Sequence, residues 1–352
     1  MRGLVLSLIL ALPVGAGACA KHLPKNLRAC AAAESQTTAA GSVRVHYFGA
    51  STLLLEGGRE ALLIDGFASR PGVGKVLGGQ RMASNPERVR QLRERIEGAN
   101  VPVRAVFVSH SHYDHALDAG PMANALGATV YGSASSLRVV DASTKDDVRP
   151  TTQLLRDGES HRIGDFDVTA FRTAHATASE QCRKKFRHSE EIAGDFCLPA
   201  KRCEFRSGPV FDFHVRHRDV DIWIKSSVNH DLGLGQHPES VELLLLAVGR
   251  PGADISEDPE GRYFRPLLRG LDPAIVAPIH WDNLTKTANN DALPPIPRIG
   301  DRKLRKRMRA LASLAAEESR KFVVLDYGQT LTVRARPTTP AEKPASPSAP
   351  RR

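Results

Sequence analysis

From Ser42 onward, apolar and polar residues alternate along the chain, a pattern that is typical of β-strands. Val43, Val45 and Tyr47 alternate with polar neighbours, and two further apolar runs follow at 52–55 and 61–66. Glycine turns separate these runs. The pattern predicts a β-meander of three strands that opens a sheet.

Helical and extended patterns alternate in the next part of the chain. A helix is predicted over about 85–97 and a short buried strand over 103–108. A second helix is expected over about 116–125, then a strand at 128–131 and a short helix at 133–139. This alternation indicates a sheet with helices packed on it.

The second half of the chain carries mostly strand patterns. Strands are predicted over 152–155, 161–163, 166–173, 210–215, 220–224 and 274–279, and helices over 259–269 and 301–321. The apolar run 241–248 fits either a strand or a buried helix, because periodicity does not separate the two. The runs 322–325 and 330–333 are expected to pair with each other through a turn at Gly328.

A histidine-rich turn follows the predicted strand at 103–108. His110, His112, Asp114 and His115 lie within six positions of one another. Imidazole nitrogens and a carboxylate suit Zn²⁺ or a related ion. In an extended segment His110 and His112 point to the same side, whereas Asp114 and His115 come after a turn and could serve a second ion. The alternative is a polar loop that happens to be rich in histidine.

Two isolated histidines share this setting at the end of a strand. His175 follows the predicted strand at 166–173, and His280 follows the one at 274–279. Asp65 also ends a buried strand, where an unpaired charge would be costly. It either contacts a ligand histidine or caps the next turn.

The charge of the chain permits anionic partners without requiring them. The 352 residues carry a formal net charge of +10, but the basic residues are scattered along the sequence. Nucleic acid or an anionic membrane surface is therefore allowed, and neither is demanded.

The N-terminus resembles an export signal. Residues 1–18 contain Arg2, an apolar run and a small-residue end, and Cys19 follows directly. A cysteine at this position resembles a bacterial lipoprotein. We expect the protein to be exported, either to the periplasm or to a membrane anchored through a lipidated Cys19.

The remaining boundaries follow from composition. Composition predicts a linker over residues 19–41, one domain over 42–334, and a disordered Pro-rich tail over 335–352. Within the domain, 176–208 reads as an insertion that holds three of the five cysteines. This insertion is either a loop that borders the site or a surface excursion pinned by disulfides.

The cysteines left after Cys19 are Cys30, Cys182, Cys197 and Cys203. In an exported chain they can form disulfides, and Cys197–Cys203 and Cys182–Cys197 are plausible short loops. Free thiols, or a zinc knot made by the last three cysteines, are the alternatives.

The order and spacing of His110-x-His112-x-Asp114-His115, His175 and His280 resemble the metallo-β-lactamase fold superfamily. Within it, the chain is most similar to the branch of L-ascorbate-6-phosphate lactonase and the N-acylphosphatidylethanolamine phospholipase D-like hydrolases. The segments that carry this closer resemblance are the histidine motif, 47–51, 63–66 and His280-Trp281. The resemblance implies the α/β class, as an αββα sandwich of two mixed β-sheets with helices on the outer faces.

The resemblance also implies two ligand sets. By position, His110, His112 and His175 would hold one ion, and Asp114, His115 and His280 a second. Ser227 stands where the superfamily commonly places an aspartate that bridges both ions, and Asn229, His230 and Asp231 lie just beyond it. A neutral hydroxyl offsets the repulsion between two dications far less than a carboxylate does. We therefore expect one tightly held Zn²⁺ and a second, weaker ion, with Mn²⁺ or Fe²⁺ as alternatives.

Together these features predict a metal-dependent hydrolase that uses a metal-bound hydroxide on an ester, lactone or phosphodiester. Asp114 would orient the nucleophile or accept its proton, and His230 is a candidate proton donor to the leaving group. Lys225 and the basic residues of the insertion favour an anionic, small-molecule or lipid-like substrate.

Two other functions fit the same fold. A non-catalytic metal-binding or ligand-binding protein of the cell envelope is one, suggested by the missing bridging aspartate. A nuclease is the other, suggested by the net charge, although export and the absence of a basic stripe argue against nucleic acid as the partner.

Overall fold

The structure is a computed structural model that describes residues 41–144, 148–175, 190–229, 237–249, 259–286 and 298–336. The predicted export signal, Cys19, almost all of the linker, Cys30, Cys182, His230, Asp231 and most of the Pro-rich tail lie outside these residues. Within the described part of the chain, no helix is long and apolar enough to cross a bilayer.

Sixteen strands are described. They are β1 (Ser42–Tyr47), β2 (Leu53–Gly57), β3 (Glu60–Ile64), β4 (Arg81–Met82), β5 (Val103–Phe107), β6 (Thr129–Gly132), β7 (Thr152–Leu154), β8 (Ser160–Ile163), β9 (Phe166–Thr173), β10 (Ala200–Lys201), β11 (Val210–His217), β12 (Val220–Lys225), β13 (Leu243–Ala247), β14 (Ile275–Ile279), β15 (Lys321–Phe322) and β16 (Thr330–Arg334).

Seven α-helices connect or cover them in the same residues. They are α1 (Val73–Leu77), α2 (Pro86–Glu97), α3 (Tyr113–Ala116), α4 (Ala119–Leu126), α5 (Ala134–Ser143), α6 (Arg265–Leu271) and α7 (Arg298–Glu317). A π-helical turn, Glu260–Phe264, leads directly into α6. α2 begins as its sequence predicts, because Pro86 starts it and the Asn85 side chain accepts a hydrogen bond from the Arg88 backbone nitrogen.

The strands form two seven-stranded mixed sheets. Sheet one has the order β16-β1-β2-β3-β5-β6-β7, and sheet two has the order β15-β14-β13-β12-β11-β9-β8. In sheet one the meander β1–β3 is antiparallel, whereas β5 and β6 run parallel to β3. In sheet two β12, β13 and β14 are parallel. Parallel neighbours direct their carboxyl ends to the same edge, which is where the candidate ligands occur.

The inner faces of the two sheets pack on each other. Val45 and Phe107 of sheet one share a buried cluster with Phe213 and Ile222 of sheet two, and the rings of Phe107 and Phe213 meet edge to face at 5.7 Å. Helices α2, α4 and α5 cover the outer face of sheet one in a second cluster. Helices α6 and α7 contribute buried leucines on the side of sheet two. The predicted αββα sandwich is confirmed.

One strand pairing was predicted wrongly. The runs at 322–325 and 330–333 do not form a hairpin, since β15 pairs in parallel with β14 while β16 pairs antiparallel with β1. The Gly328 turn instead carries the chain from one sheet to the other, and its backbone nitrogen donates to the Tyr47 carbonyl at 2.8 Å. An apolar run predicts a strand but not its partner.

Two other elements differ in detail. The helix expected from residue 116 begins earlier, because α3 includes Asp114 and His115 and α4 follows it after Leu117 and Asp118. The run at 241–248 is a strand, β13, whose residues are all buried.

The described part of the insertion, 190–208, is packed against sheet one rather than pinned by a disulfide. Strand β10 pairs with β4, and Ile192 and Phe205 are buried in the cluster on the outer face of sheet one. Cys197 and Cys203 are free thiols, so neither the Cys197–Cys203 bond nor the Cys182–Cys197 bond is present, and the alternative of free thiols holds for these two residues. Apolar burial and strand pairing hold this segment in its place.

Candidate metal centre

The candidate ligands meet at one edge of the sandwich, between the two sheets. His110 and His112 follow β5, α3 carries Asp114 and His115, His175 follows β9, and His280 follows β14. Backbone hydrogen bonds join the sheets at this edge, from Phe211 N to Ser109 O at 2.8 Å and from His280 N to Ala50 O at 2.7 Å. Residues that are far apart in sequence are thereby brought to a single site.

The first cluster consists of His110, His112 and His175. One nitrogen from each lies within 4.8 Å of the other two, and His110 Nε2 is 3.1 Å from His112 Nδ1. The His175 ring centre is 4.4 Å from that of His112 and 4.9 Å from that of His110. Tetrahedral coordination by imidazoles separates ligand nitrogens by about 3.3 Å, so this spacing fits a single ion.

The second cluster consists of Asp114, His115 and His280. His280 Nε2 is 3.3 Å from both Asp114 Oδ2 and His115 Nε2. His115 Nε2 is 3.7 Å from Asp114 Oδ2. The three atoms form a nearly equilateral triangle of the size that one ion requires. The two clusters are adjacent, since the ring centres of His110 and His115 are 3.8 Å apart.

The protonation of these groups also suits a cation. Burial and the neighbouring imidazoles lower the pKa of His110 well below its usual value, so its nitrogens are free of an extra proton. Burial works against ionisation of Asp114, but His115 and His280 lower its pKa overall. The pKa of His280 is raised, because the Asp114 carboxylate outweighs the effect of burial. The unprotonated nitrogens of His110 and the ionised Asp114 carboxylate are donors that fit a divalent metal. An ion at the second cluster would take the place of the proton that Asp114 favours on His280.

Asp65 supports the second cluster from behind. Its Oδ2 atom is 2.7 Å from His115 Nδ1, and its Oδ1 atom accepts from the Ser109 backbone nitrogen at 2.8 Å. The hydroxyl of Ser51 donates to the same carboxylate. This contact fixes the ring so that Nε2 faces the cluster. Of the two roles expected for Asp65, the structure shows the contact with a ligand.

Asp282 supports the loop that presents His280. It accepts from the Ala50 backbone nitrogen at 2.8 Å and from Arg70 Nη1 at 2.6 Å, and both charged side chains are buried. Burial opposes ionisation, but Arg70 and these hydrogen bonds lower the pKa of Asp282. Gly249 packs so closely that a methyl group on it would lie 3.0 Å from His280 Nδ1. His280 is therefore held from two sides.

Several residues at this edge have left-handed backbones although they are not glycines, among them Asp65 and His280. Asp65 has φ +59° and His280 has φ +57°. Such a conformation costs on the order of 1 kcal/mol or more per residue. Backbone hydrogen bonds from Asp65 N to Phe107 O and from His280 N to Ala50 O hold both turns, so the fold maintains this strain where the ligand and its support are placed.

Lys225, which was expected to favour an anionic substrate, forms an ion pair inside the domain. It is fully buried, and its Nζ atom is 2.6 Å from Asp212 Oδ2. The same ammonium lies 3.5 Å from Asn229 Oδ1, which also accepts from Thr173. The positive charge is therefore balanced internally by Asp212. Burying it without that partner would be too costly.

The remaining predicted site residues are placed as follows. Ser227 is buried at the end of β12, and its carbonyl oxygen faces Asn229 Nδ2 at 3.4 Å. Its role at the second ion stays a prediction. His230 and Asp231 lie outside the described residues. No role was predicted for Ser51, Ser109, Arg70 or Asp282. Of these, Asp282 could have been found from its position directly after His280-Trp281.

Comparison with known proteins agrees with this geometry. The family model of the metallo-beta-lactamase superfamily matches residues 47–180. A metal-dependent hydrolase from Rubrobacter xylanophilus is 28% identical over 139 residues, which are 39% of this chain and 48% of that protein. The chain thus matches only about half the length of this curated relative.

One solved structure supports the fold, and a second is similar at a lower score. The metallo-beta-lactamase fold protein YhfI from Bacillus subtilis has a TM-score of 0.50 and 13% identity, over 83% of this chain and 99% of that one. Igni18, a metallo hydrolase from Ignicoccus hospitalis, has a TM-score of 0.48 and 14% identity, over 84% and 100% of the two chains. The chain has the metallo-β-lactamase fold, and the family-model match supports the superfamily.

Proposed function

We propose that this chain of metallo-β-lactamase fold is a metal-dependent hydrolase that acts on an ester, lactone or phosphodiester bond. The observation that carries the proposal is the adjacency of two complete three-ligand clusters at one sheet edge, with the His110 and His115 rings 3.8 Å apart. The hydrolase name of the Rubrobacter xylanophilus relative supports the same reaction class.

Divalent ions in such sites polarise the bond under attack and make a bound water more acidic. The residues of this chain supply the rest. Asp114 remains ionised because its pKa is lowered by the adjacent imidazoles, so its carboxylate can accept a hydrogen bond from the attacking water and orient it. Asp65 and Asp282 hold the positions of His115 and of the loop at His280.

We propose Zn²⁺ as the ion of the first cluster, because three neutral histidines are the set that zinc commonly takes in catalytic sites. The second cluster has Asp114 as its one anionic ligand among the described residues, so it should hold its ion more weakly. Mn²⁺ and Fe²⁺ are alternatives for either cluster.

We also make three finer proposals on the basis of the sequence. The His-Tyr-Asp-His motif and the His280-Trp281 pair support placement in the branch of L-ascorbate-6-phosphate lactonase and the N-acylphosphatidylethanolamine phospholipase D-like hydrolases. The net charge of +10 supports an anionic substrate, although Lys225 no longer contributes to that argument. His230 remains the candidate proton donor to the leaving group.

The proposal is tested by screening phosphodiester, lactone and thioester substrates in the presence of Zn²⁺, Mn²⁺ or Fe²⁺. For any substrate that is turned over, His112→Ala and Asp114→Ala should each abolish turnover. His214→Ala is the matched control, because His214 pairs with Asp221 on β12 and belongs to neither cluster. Wild-type turnover in both site variants would overturn the mechanism. Metal binding without turnover of any substrate would favour a non-catalytic envelope protein.

Export is a separate proposal. Residues 1–18, followed by Cys19, support a cleaved signal and a lipidated cysteine. Mass spectrometry of the mature N-terminus from bacterial envelope fractions tests it. A mature chain that begins at Cys19 with an added diacylglyceryl mass is expected, whereas an intact Met1 terminus would contradict export.

A further inference from the structure

The helix α7 carries a concentrated positive charge on its exposed side. Arg302, Lys303, Lys306 and Arg309 are all exposed, and within the described residues no ion pair involves any of them. The opposite side of the helix is apolar and packed against sheet two; its buried members are Leu304, Met308, Leu311, Leu314 and Ala315. The helix is therefore anchored by one face and presents cations on the other.

The stability of the helix does not explain this charge. No acidic residue occurs between Arg302 and Ala316, and none lies three or four positions from Arg302, Lys303, Lys306 or Arg309 along the helix. Lys306 instead has like charges at Arg302, Lys303 and Arg309, and like charges at these spacings destabilise a helix. These exposed cations do not stabilise the helix, so we interpret them as a surface that attracts an anionic partner.

This part of α7 lies at the metal edge. Arg307 donates from Nη2 to the Gly249 carbonyl at 2.6 Å and from Nε to the Val248 carbonyl at 3.2 Å. Gly249 in turn packs against the His280 imidazole. The cationic half of the helix is therefore separated from the second cluster by a single loop.

Exposed aliphatic side chains lie close to the same edge. Val73 and Leu77 of α1 are 58% and 65% exposed, and their spacing of four places them on one side of the helical turn. Arg70, three residues before Val73, donates to Asp282 and to the Asn283 carbonyl behind His280. Three residues span at most about 10 Å, so α1 is tethered next to the loop that presents His280.

We propose that the metal-edge surface, defined as Arg302, Lys303, Lys306 and Arg309 of α7 with Val73 and Leu77 of α1, binds an anionic phospholipid bilayer. Basic side chains are attracted to the negative surface of such a bilayer, and a pair of exposed aliphatic side chains can enter the boundary between headgroups and acyl chains. The proposal is independent of the hydrolytic activity and of the lipidation of Cys19.

An RNA partner fits these residues less well. Neither α1 nor α7 contains an aromatic residue, so the surface offers no ring on which bases could stack. Exposed valine and leucine side chains also add nothing to the binding of phosphates, whereas they do contribute to binding a bilayer.

The test is co-sedimentation of the full chain with two kinds of vesicle. One kind contains phosphatidylcholine alone, and the other also contains about 30 mol% phosphatidylglycerol, which gives its surface a negative charge. The wild type should bind the anionic vesicles and not the neutral ones. A variant with Arg302, Lys303, Lys306 and Arg309 all changed to Gln should bind at least about a hundredfold more weakly, at about fivefold for each charge. All variants share the same N-terminus, so any contribution from residues 1–19 cancels in the comparison.

A matched control changes four exposed arginines at the opposite edge to Gln: Arg104, Arg162, Arg216 and Arg218. It removes the same net charge and should retain vesicle binding within about threefold. The double variant Val73→Gln and Leu77→Gln should keep most of its vesicle binding at low salt, where the cations of α7 attract the bilayer. It should lose binding at about 0.5 M salt, because this ionic strength screens the charges and the apolar contact is missing. Circular dichroism of every variant verifies folding.

Three results would overturn the proposal. One is equal binding of the wild type to neutral and anionic vesicles. Another is an equal loss of binding in the α7 variant and in the control at the opposite edge. The third is binding of a single-stranded RNA that depends on the α7 cations while anionic vesicles are ignored, which would assign the surface to nucleic acid.

Discussion

The Nδ1 atom of His115 lies 2.7 Å from the Oδ2 atom of Asp65, so one nitrogen of this imidazole is committed to a buried carboxylate and the other faces the second cluster. A carboxylate in this position fixes the orientation of the ring and holds the proton on Nδ1, so that Nε2 is the nitrogen that would bind the ion. The affinity of the second cluster should therefore depend on a residue that is not itself a ligand.

Replacing Asp65 by Asn should weaken the binding of metal at the second cluster by about 10–100-fold, because the carboxylate behind His115 is lost. Competition with a chromophoric chelator measures this affinity. Asp118→Asn is the matched control, since Asp118 is another buried carboxylate but accepts its hydrogen bonds from Ser69 and Ser84 rather than from an imidazole. Equal affinities for wild type and Asp65→Asn would show that the contact does not tune the site.

The number of ions bound should be limited by the residue at position 227. Protein purified without added metal should contain close to one ion per chain, because no carboxylate offsets the repulsion between two dications if a serine occupies the bridging position. Ser227→Asp should raise the content toward two ions, whereas the neutral replacement Ser227→Asn should not. Elemental analysis of the purified proteins decides the question, and two tightly held ions in the wild type would refute the expectation.

Lys225→Met should destabilise the fold by about 3–5 kcal/mol, because it removes the buried ammonium that lies 2.6 Å from the Asp212 carboxylate. Removing both members of the pair, in Lys225→Met with Asp212→Leu, should restore much of the free energy of unfolding. Urea denaturation of the full chain gives both values. If the double variant is no more stable than the single one, the ion pair is not the reason for the loss.

The metal-free protein should be most stable near neutral pH. The pKa of His110 is lowered from its usual 6.5. Below about this pH, His110 is therefore protonated in the unfolded chain but stays neutral in the folded chain. Stability is then lost as the pH falls below about 6.5, by up to about 1.4 kcal/mol per pH unit. The pKa of His280 is raised, so its contribution is present below about 6.5 and is lost as the pH rises through its folded pKa.

Denaturation of chelator-treated protein at a series of pH values from about 5 to 8 measures this profile. The range extends to both sides of the ordinary histidine pKa. His110→Gln should flatten the acid side, because it removes the group that the unfolded state protonates. Stability that rises steadily toward pH 5 would contradict the assigned protonation states.

Much of the fold could be predicted from the sequence, because the strands at this edge have continuous apolar runs that end in polar ligands. β5 and β14 were located in this way, and so was the placement of His110 and His280 directly after them. The alternation in β1 likewise reflects the packing of Val43, Val45 and Tyr47 in the core between the two sheets. Local patterns are enough where each element buries a regular face.

The errors concern contacts between distant residues. The sequence shows that Lys225 is charged and ends a strand, but not that Asp212 on the neighbouring strand faces it at 2.6 Å. It also does not show that residues 321–322 and 330–334 join different sheets. Partners of this kind are set by packing over long separations in the chain, which no local period records.

The pairing of β1 with β16 has a consequence for how the chain folds. Ser42 of β1 and Arg334 of β16 are opposite each other in the register. The outer side of β1 is therefore unpaired until β16, the last strand that the structure describes, has been synthesised. During synthesis β1 and β2 can pair early, but the outer edge of β1 stays open until nearly the whole domain has been made. An open edge is a site for misassembly with other chains. Closure by β16 is therefore expected to be a late step, and truncation before residue 330 should yield a protein that aggregates rather than one that is merely less stable.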